Sequence, residues 1–310
     1  MILTITANAA LDRVLYLDEF RPGITQYTTK TVDCVGGKGF DASIVLQQLG
    51  VEQLALGFIA GETGKQVARL LDGYHIPHDL TWVEGDTRIA HVIVETNHLR
   101  HSHVTTTGYR VKPEEEARFL ENYCQRLKHT SWVIAGGSLA PGLPASFYEE
   151  IARLAGEAGV KTIIDTSGDS ARQVAGTQNS ILKLNLHEFN TTFGQNAQTT
   201  AELCTAGQAV IRQYGLPALI VTCGKDGILV ILPVQVLLAK SPAQAEINSA
   251  GAGDAVSAAL AWRFALGDGW EPALHWAAAI ASASVLTEAT AEFHLEDMHR
   301  IYPEVTVQSL

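Results

Sequence analysis

Short β-branched runs alternate with helical patterns along most of this 310-residue chain, and few folds accommodate that alternation. Strands are expected at 2–6, 54–59, 131–135, 161–165, 181–184, 218–222 and 227–232. Helices are expected over Gly39 to Leu49, Gly64 to Leu71, Pro113 to Lys128, Pro144 to Ala158, Ala201 to Tyr214 and Gly253 to Phe264. The order predicts an α/β fold, an open and mainly parallel sheet covered by helices. Pro113 followed by three glutamates is a strong helix start, because proline suits the first turn and the helix dipole favours acids there.

Two regions depart from the alternation. Residues 13–35 and 80–107 carry Thr-rich and Val-rich strand patterns with no intervening helix, which predicts a small antiparallel sheet made by two excursions from one domain spanning 1–310. Such a sheet is placed to act as a lid that excludes water from a site on the main sheet. No long linker, low-complexity tract or repeat interrupts the chain.

Composition narrows the function classes. Hydrophobic residues make up 46% and charged residues 18%, as in a globular enzyme. A net charge of -11 argues against nucleic acid as a partner, since phosphate backbones need clustered Lys and Arg. A small anionic ligand is still compatible, because a few basic groups in a cleft suffice. Cys34, Cys124, Cys204 and Cys223 show no metal-ligand spacing and read as reduced thiols of a cytoplasmic protein. No signal peptide or membrane span is expected, and the apolar run Ala277 to Val285 reads as a tightly packed core helix.

The chemistry is concentrated in Asn248-Ser249-Ala250-Gly251-Ala252-Gly253-Asp254, which runs directly into an apolar helical pattern. Small residues at a helix N-terminus leave backbone N–H groups free to meet a phosphate, and Asp254 adds a group able to take a proton. Gly36-Gly37-Lys38-Gly39 places a lysine among glycines at another helix start, yet matches neither a dinucleotide fingerprint nor a Walker A motif. Asp12 follows the first strand, where open α/β sheets place ligand groups. Gly136-Gly137-Ser138 and Asp165-Thr166-Ser167-Gly168 follow two further strands. Asn185 and Glu188 are spaced either to orient water around Mg²⁺ or to cap a helix. His98, His101 and His103 lack a completing Cys or carboxylate for a metal site, and Trp262, Trp270 and Trp276 read as packing aromatics.

In this order, these residues resemble the PfkB (ribokinase-like) carbohydrate kinases, nearest the branch of 1-phosphofructokinase and tagatose-6-phosphate kinase. The resemblance spans nearly the whole chain, with its most specific signature at Asn248 to Leu260. It implies a three-layer α/β/α fold and ATP-dependent transfer of a phosphoryl group to a sugar phosphate, with a ketohexose monophosphate leading. Asp254 would be the catalytic base, and Gly251, Ala252 and Gly253 the anion hole. Lys183, Thr222, Gly224, Gly227 and Gly253 would meet the nucleotide, with adenine near the helix at 277–286. Asn185 and Glu188 would hold Mg²⁺ through water, and K⁺ is admitted as an activator. Asp12, Gly37, Lys38, Asp41 and Ser138 would face the acceptor, and Arg88 its existing phosphate. A homodimer through the lid is implied as well.

Departures from the family pattern fall mainly on the acceptor side. Asp41 stands where the family has asparagine, so an ionised side chain there accepts hydrogen bonds but cannot donate one. Ala90 and Val92 replace an asparagine and a lysine, and His103 stands where some members place a basic lid residue. A kinase of an unphosphorylated sugar or nucleoside is therefore the second reading, and a silent sugar or nucleotide sensor the third. A dinucleotide-dependent oxidoreductase lacks its glycine fingerprint.

Overall fold

The computed structural model describes residues 1–98 and 100–310, with His101 described by its backbone alone. The N-terminal third runs β1 (Ile2–Thr6), β2 (Ala10–Leu17), β3 (Lys30–Gly36), α1 (Lys38–Gln48), β4 (Gln53–Ala60), α2 (Gly61–Gly73) and β5 (His78–Val83). Next come β6 (Arg88–Glu95), β7 (Arg100–Thr105), α3 (Pro113–Leu127), β8 (Trp132–Gly136), α4 (Phe147–Glu157), β9 (Lys161–Asp165) and α5 (Gly168–Val174). They are followed by β10 (Ser180–Asn185), α6 (Leu186–Phe193), α7 (Thr200–Tyr214), β11 (Ala218–Thr222), β12 (Ile228–Ile231) and β13 (Val236–Lys240). The chain closes with α8 (Ala252–Ala265), α9 (Trp270–Ser284), α10 (Leu295–Ile301) and β14 (Thr306–Ser309).

Ten strands form one sheet in the order β14-β13-β12-β11-β10-β9-β8-β1-β4-β5. From β11 to β5 every pairing is parallel, whereas β12, β13 and β14 add antiparallel pairs at one end. Successive strand residues enter opposite layers: Leu3, Val133, Ile164, Leu182 and Leu219 pack under α3, α4 and α7, while Ile2, Ile134, Ile163, Ile181 and Ile220 pack under α1, α8 and α9. Burial on both faces is why these strands read as unbroken apolar runs. The three-layer α/β/α architecture is therefore present.

Alanine-rich α8 and α9 pack closely, with Ala255, Ala258, Ala259, Ala273, Ala277 and Ala279 all buried. At their outer end Trp262 and Trp276 meet edge to face, 5.5 Å between ring centroids, with the Arg263 guanidinium over both rings. No helix among the described residues is long and apolar enough to cross a membrane.

The second sheet has four strands, ordered β3-β2-β6-β7. The structure corrects the sequence reading of this sheet in two respects. β2 and β6 pair in parallel, so the sheet is mixed, not antiparallel. The chain passes through β3, α1, β4, α2 and β5 between them, and residue alternation carries no information about strand direction. Residues 80–83 belong to β5, which pairs with β4 at the edge of the main sheet. At its far end, the Lys30 ammonium of β3 reaches Glu288 at 2.6 Å, tying the small sheet to the segment after α9.

Candidate active site

The parallel strands β1, β8, β9, β10 and β11 end along one edge, and the order reverses between β1 and β8, the position where open α/β sheets leave a crevice. Thr6, Gly136 and Asp165 lie side by side in register, as do Asn185 and Thr222. The Asn8 side-chain amide spans the switch point, donating to Ser138 Oγ at 3.2 Å and to the Leu139 carbonyl at 3.3 Å.

Gly37 starts α1 with φ 129°, and a Cβ there would lie 2.4 Å from Thr6 Cγ2. Only glycine fits, so α1 approaches β1 closely and delivers Lys38 to the strand ends. Lys38 Nζ donates to Asp165 Oδ1 at 2.5 Å and to Glu188 Oε1 at 3.3 Å. Lys183, two residues before the end of β10, holds the other Asp165 oxygen. Both Asp165 and Lys183 are 3% exposed. Burial alone would raise the Asp165 carboxyl, but Lys183 and Lys38 outweigh it and hold it at about 2. The carboxylates Asp165, Asp254 and Glu188 in turn keep Lys38 charged against the effect of burial. Lys38, expected to face the acceptor, thus sits on the carboxylate cluster.

Asn185 and Glu188 form the capping box of α6: Asn185 Oδ1 accepts from the Glu188 amide at 2.8 Å, and Glu188 Oε2 from the Asn185 amide at 2.9 Å. Glu188 nevertheless faces the cluster through its bond to Lys38.

The small-residue turn opens α8. Gly251 has φ 81°, and a Cβ on it would fall 2.5 Å from the Ala291 amide nitrogen, so both conformation and space demand glycine. Asn248 braces the turn, accepting from the Ala250 amide and donating to the Glu288 carbonyl, each at 3.0 Å. The amides of Gly253 and Asp254 lie in the first turn, where N–H groups have no intrahelical acceptor. A Cβ on Gly253 would lie 3.2 Å from Lys183 Nζ, which places that ammonium beside the turn. Asp254 is buried, and burial followed by repulsion from Asp165 raises its carboxyl to about 7, with Lys38 and Lys183 opposing.

On the acceptor side, Asp12 of β2 pairs in register with Ala90 of β6 and Cys34 of β3, and it lies against Gly36, where a Cβ would come within 2.2 Å of its Oδ1. Burial raises the Asp12 carboxyl, and the charges of Arg88 and His103 oppose this. Arg88 donates from Nη2 to the Asn8 carbonyl at 3.1 Å, while its buried Nε has no partner among the described residues. Asp41 is 7% exposed, in the first turn of α1.

Thr222 ends β11 next to Asn185, and Gly224 begins the turn that follows. Gly227 has φ 105°, and its Cβ would strike the Ala239 carbonyl at 2.1 Å, so its conformation is set by β13. The structure thus gathers Lys38, Lys183, Asn185, Glu188, Gly253 and Asp254 around Asp165, a hub absent from the sequence-derived set of site residues. Its signal was a carboxylate closing an apolar strand beside a strand that buries a lysine.

A profile described as pfkB family carbohydrate kinase matches residues 4–297. The chain belongs to this family. A 1-phosphofructokinase from Borreliella burgdorferi is 29% identical over 100% of this chain and 99% of its own. A tagatose-6-phosphate kinase from Staphylococcus epidermidis is 25% identical, covering 99% of each chain. Among solved structures, a possible 1-phosphofructokinase from Thermotoga maritima superposes with a TM-score of 0.89 at 25% identity, covering 100% of this chain and 99% of that one. The protein is a carbohydrate kinase, a phosphotransferase with an alcohol group as acceptor.

Proposed function

We propose that this kinase transfers the γ-phosphoryl group of ATP to a hydroxymethyl group of a ketohexose monophosphate of the fructose 1-phosphate or tagatose 6-phosphate type. The observation that carries this reading is the buried Asp254 in the first turn of α8, beside free amides and Lys183. The relatives' names supply the acceptor class.

In the mechanism, the acceptor hydroxyl gives its proton to the Asp254 carboxylate as its oxygen attacks the γ-phosphorus, and the bond from that phosphorus to the β–γ bridging oxygen breaks to release ADP. The α8 amides and Lys183 meet charge building on the transferred group. Lys38, held by Asp165 and Glu188, adds positive charge from the α1 side. The nucleotide extends past Thr222 and Gly224 toward α9. The small sheet acts as a lid over the acceptor, excluding water as an alternative nucleophile.

Three carboxylates, Asp165, Glu188 and Asp254, face two ammonium groups, a surplus of negative charge that fits a divalent cation. Each Glu188 oxygen already accepts one hydrogen bond, and among the described residues no cluster of His, Cys, Asp or Glu is arranged to grip a metal directly. Asn185 and Glu188 would therefore hold Mg²⁺ through water. When bound with ATP, that ion supplies charge neutralisation at the phosphates. K⁺ is kept as a proposed activator, and the carbonyls of Ser284, Ala289 and Glu292 converge within 3.0–3.2 Å of the Thr287 hydroxyl.

Arg88 is assigned to the phosphate already on the acceptor, with its buried Nε as the free donor. Arg88→Ala should raise the acceptor KM on the order of 10–100-fold, with the ATP KM unchanged, as expected for loss of a charge-assisted hydrogen bond. An unchanged acceptor KM would remove this role. Ala90 and Val92, apolar beside Arg88 on β6, favour the second reading, an unphosphorylated sugar or nucleoside. An ADP-release screen over fructose 1-phosphate, fructose 6-phosphate, tagatose 6-phosphate, ribose, fructose and nucleosides separates the two. Turnover confined to neutral acceptors sinks the first.

The kinase is further proposed to act in the cytoplasm as a homodimer joined through the lid. Phe20, Ile24, Tyr27 and Val104 expose apolar side chains there, with Tyr27 at 89%. Sedimentation velocity should find a dimer that Tyr27→Asp weakens toward monomer; a monomeric wild type rejects the proposal.

A further inference from the structure

Asp41 brings a third carboxyl group to the pocket of Asp12 and Asp254. It is buried, and its Oδ1 has no hydrogen-bond partner among the described residues. A buried carboxylate that served only the fold would be paired. Asp254 acts on it from α8, Asp12 from β2, Cys34 from β3, Tyr74 from the end of α2, and Lys38 from its own helix. The strands beneath α1, namely β1, β4 and β8, contain no titratable side chain. Two acids thus oppose one ammonium, and that ammonium is already bound to Asp165 and Glu188.

We infer that Asp41 is a specificity-determining residue of the acceptor pocket, presenting a carboxylic acid whose O–H donates to one sugar hydroxyl oxygen while Oδ1 accepts from another hydroxyl. The inference rests on the acceptor assignment made above. Burial, then the charges of Asp254 and Asp12, push Asp41 well above the usual carboxylate range, with Lys38 and the Gly37 amide opposing. Neighbouring carboxyls resist double ionisation, so a proton held on Asp41 leaves Asp254 free to act as the base. The held proton supplies the donor that an ionised aspartate lacks. It also removes a negative charge that would repel the acceptor's phosphate.

The test compares the acceptor KM of wild type and Asp41→Asn across pH. Asparagine keeps a donor and an acceptor but does not titrate. Wild type should show an acceptor KM that rises roughly tenfold as pH passes through the ionisation of Asp41, the scale of one lost hydrogen bond. Asp41→Asn should keep the low-pH value throughout, with the ATP KM unchanged in both. Profiles of the same shape, flat or sloping, overturn the inference, as does an Asp41→Asn KM above that of wild type at every pH. Calorimetric titration of fructose 1-phosphate or tagatose 6-phosphate in two buffers of different ionisation enthalpy reads the same proton without turnover. On the alkaline side wild type should take up protons on binding and Asp41→Asn should not; equal uptake overturns the inference. Failure of the acceptor assignment looks different, since no ketohexose monophosphate would then support ADP release by the wild-type enzyme.

Discussion

Asp254→Asn is expected to lower kcat by on the order of 10²–10⁴-fold, the usual contribution of a positioned general base. The substitution preserves shape, so binding of ATP and acceptor should stay close to wild type by calorimetry. Normal turnover would remove the mechanism, and tight binding with no turnover in the wild type would identify a sensor instead of a kinase. The wild-type pH profile provides a second check. Asp254 must be ionised to accept a proton, and burial together with Asp165 raises it to about 7. The acceptor kcat/KM should therefore fall tenfold per unit as pH drops below about 7 and level off above it, until the ionisation of Asp41 raises the acceptor KM on the alkaline side. An acid limb near the ordinary carboxylate range would show that Asp254 does not govern that step.

Asp165→Ala should have the largest effect on stability. Lys183 is 3% exposed and would be left as a buried charge without its partner, and breaking such a pair costs about 3–5 kcal/mol. Domains of ordinary stability have only about 5–15 kcal/mol in total, so the shift in denaturant midpoint should be plain. Adding Lys183→Met removes the stranded charge and should restore most of the loss, at the expense of activity. A single mutant within about 1 kcal/mol of wild type would show that water reaches Lys183 easily, since surface ion pairs contribute about that much or less. The same pair sets an acid sensitivity. The folded Asp165 is held at about 2, below its ordinary 3.8, so its contribution is complete above the ordinary value. It disappears as pH falls through the folded one.

The layered architecture was legible because strands buried on both faces, such as Ile163-Ile164 and Ile181-Leu182, carry unbroken apolar runs. The Gly251 turn was legible because its backbone tolerates no other residue, which leaves a visible mark in the sequence. Features that depend on pairing partners left no such mark. The alternating pattern at 80–83 suits an edge strand of the main sheet as well as a strand of the small one, and nothing local to β2 or β6 encodes their parallel alignment. Helices α5, α6 and α10 are seven or eight residues long, too short for periodicity to declare them. Asp165 was noticed as part of a polar loop and missed as the hub, because its importance comes from Lys38 and Lys183, which lie 127 and 18 residues away. Gly227, expected to meet the nucleotide, carries a packing constraint the sequence did not reveal, because the Ala239 carbonyl leaves no room for a Cβ.

The position of β1 bears on how the chain comes off the ribosome. This strand is made before β4 and β8, between which it lies in the sheet, so its pairing is incomplete until Gly136 has emerged. Until then one edge of an apolar strand is open to misplaced pairing, and parallel pairings across long loops form slowly. Asp254 arrives later still, on a helix that packs against α1. The two sides of the active centre are therefore made more than two hundred residues apart, and catalytic competence must wait for the second of them.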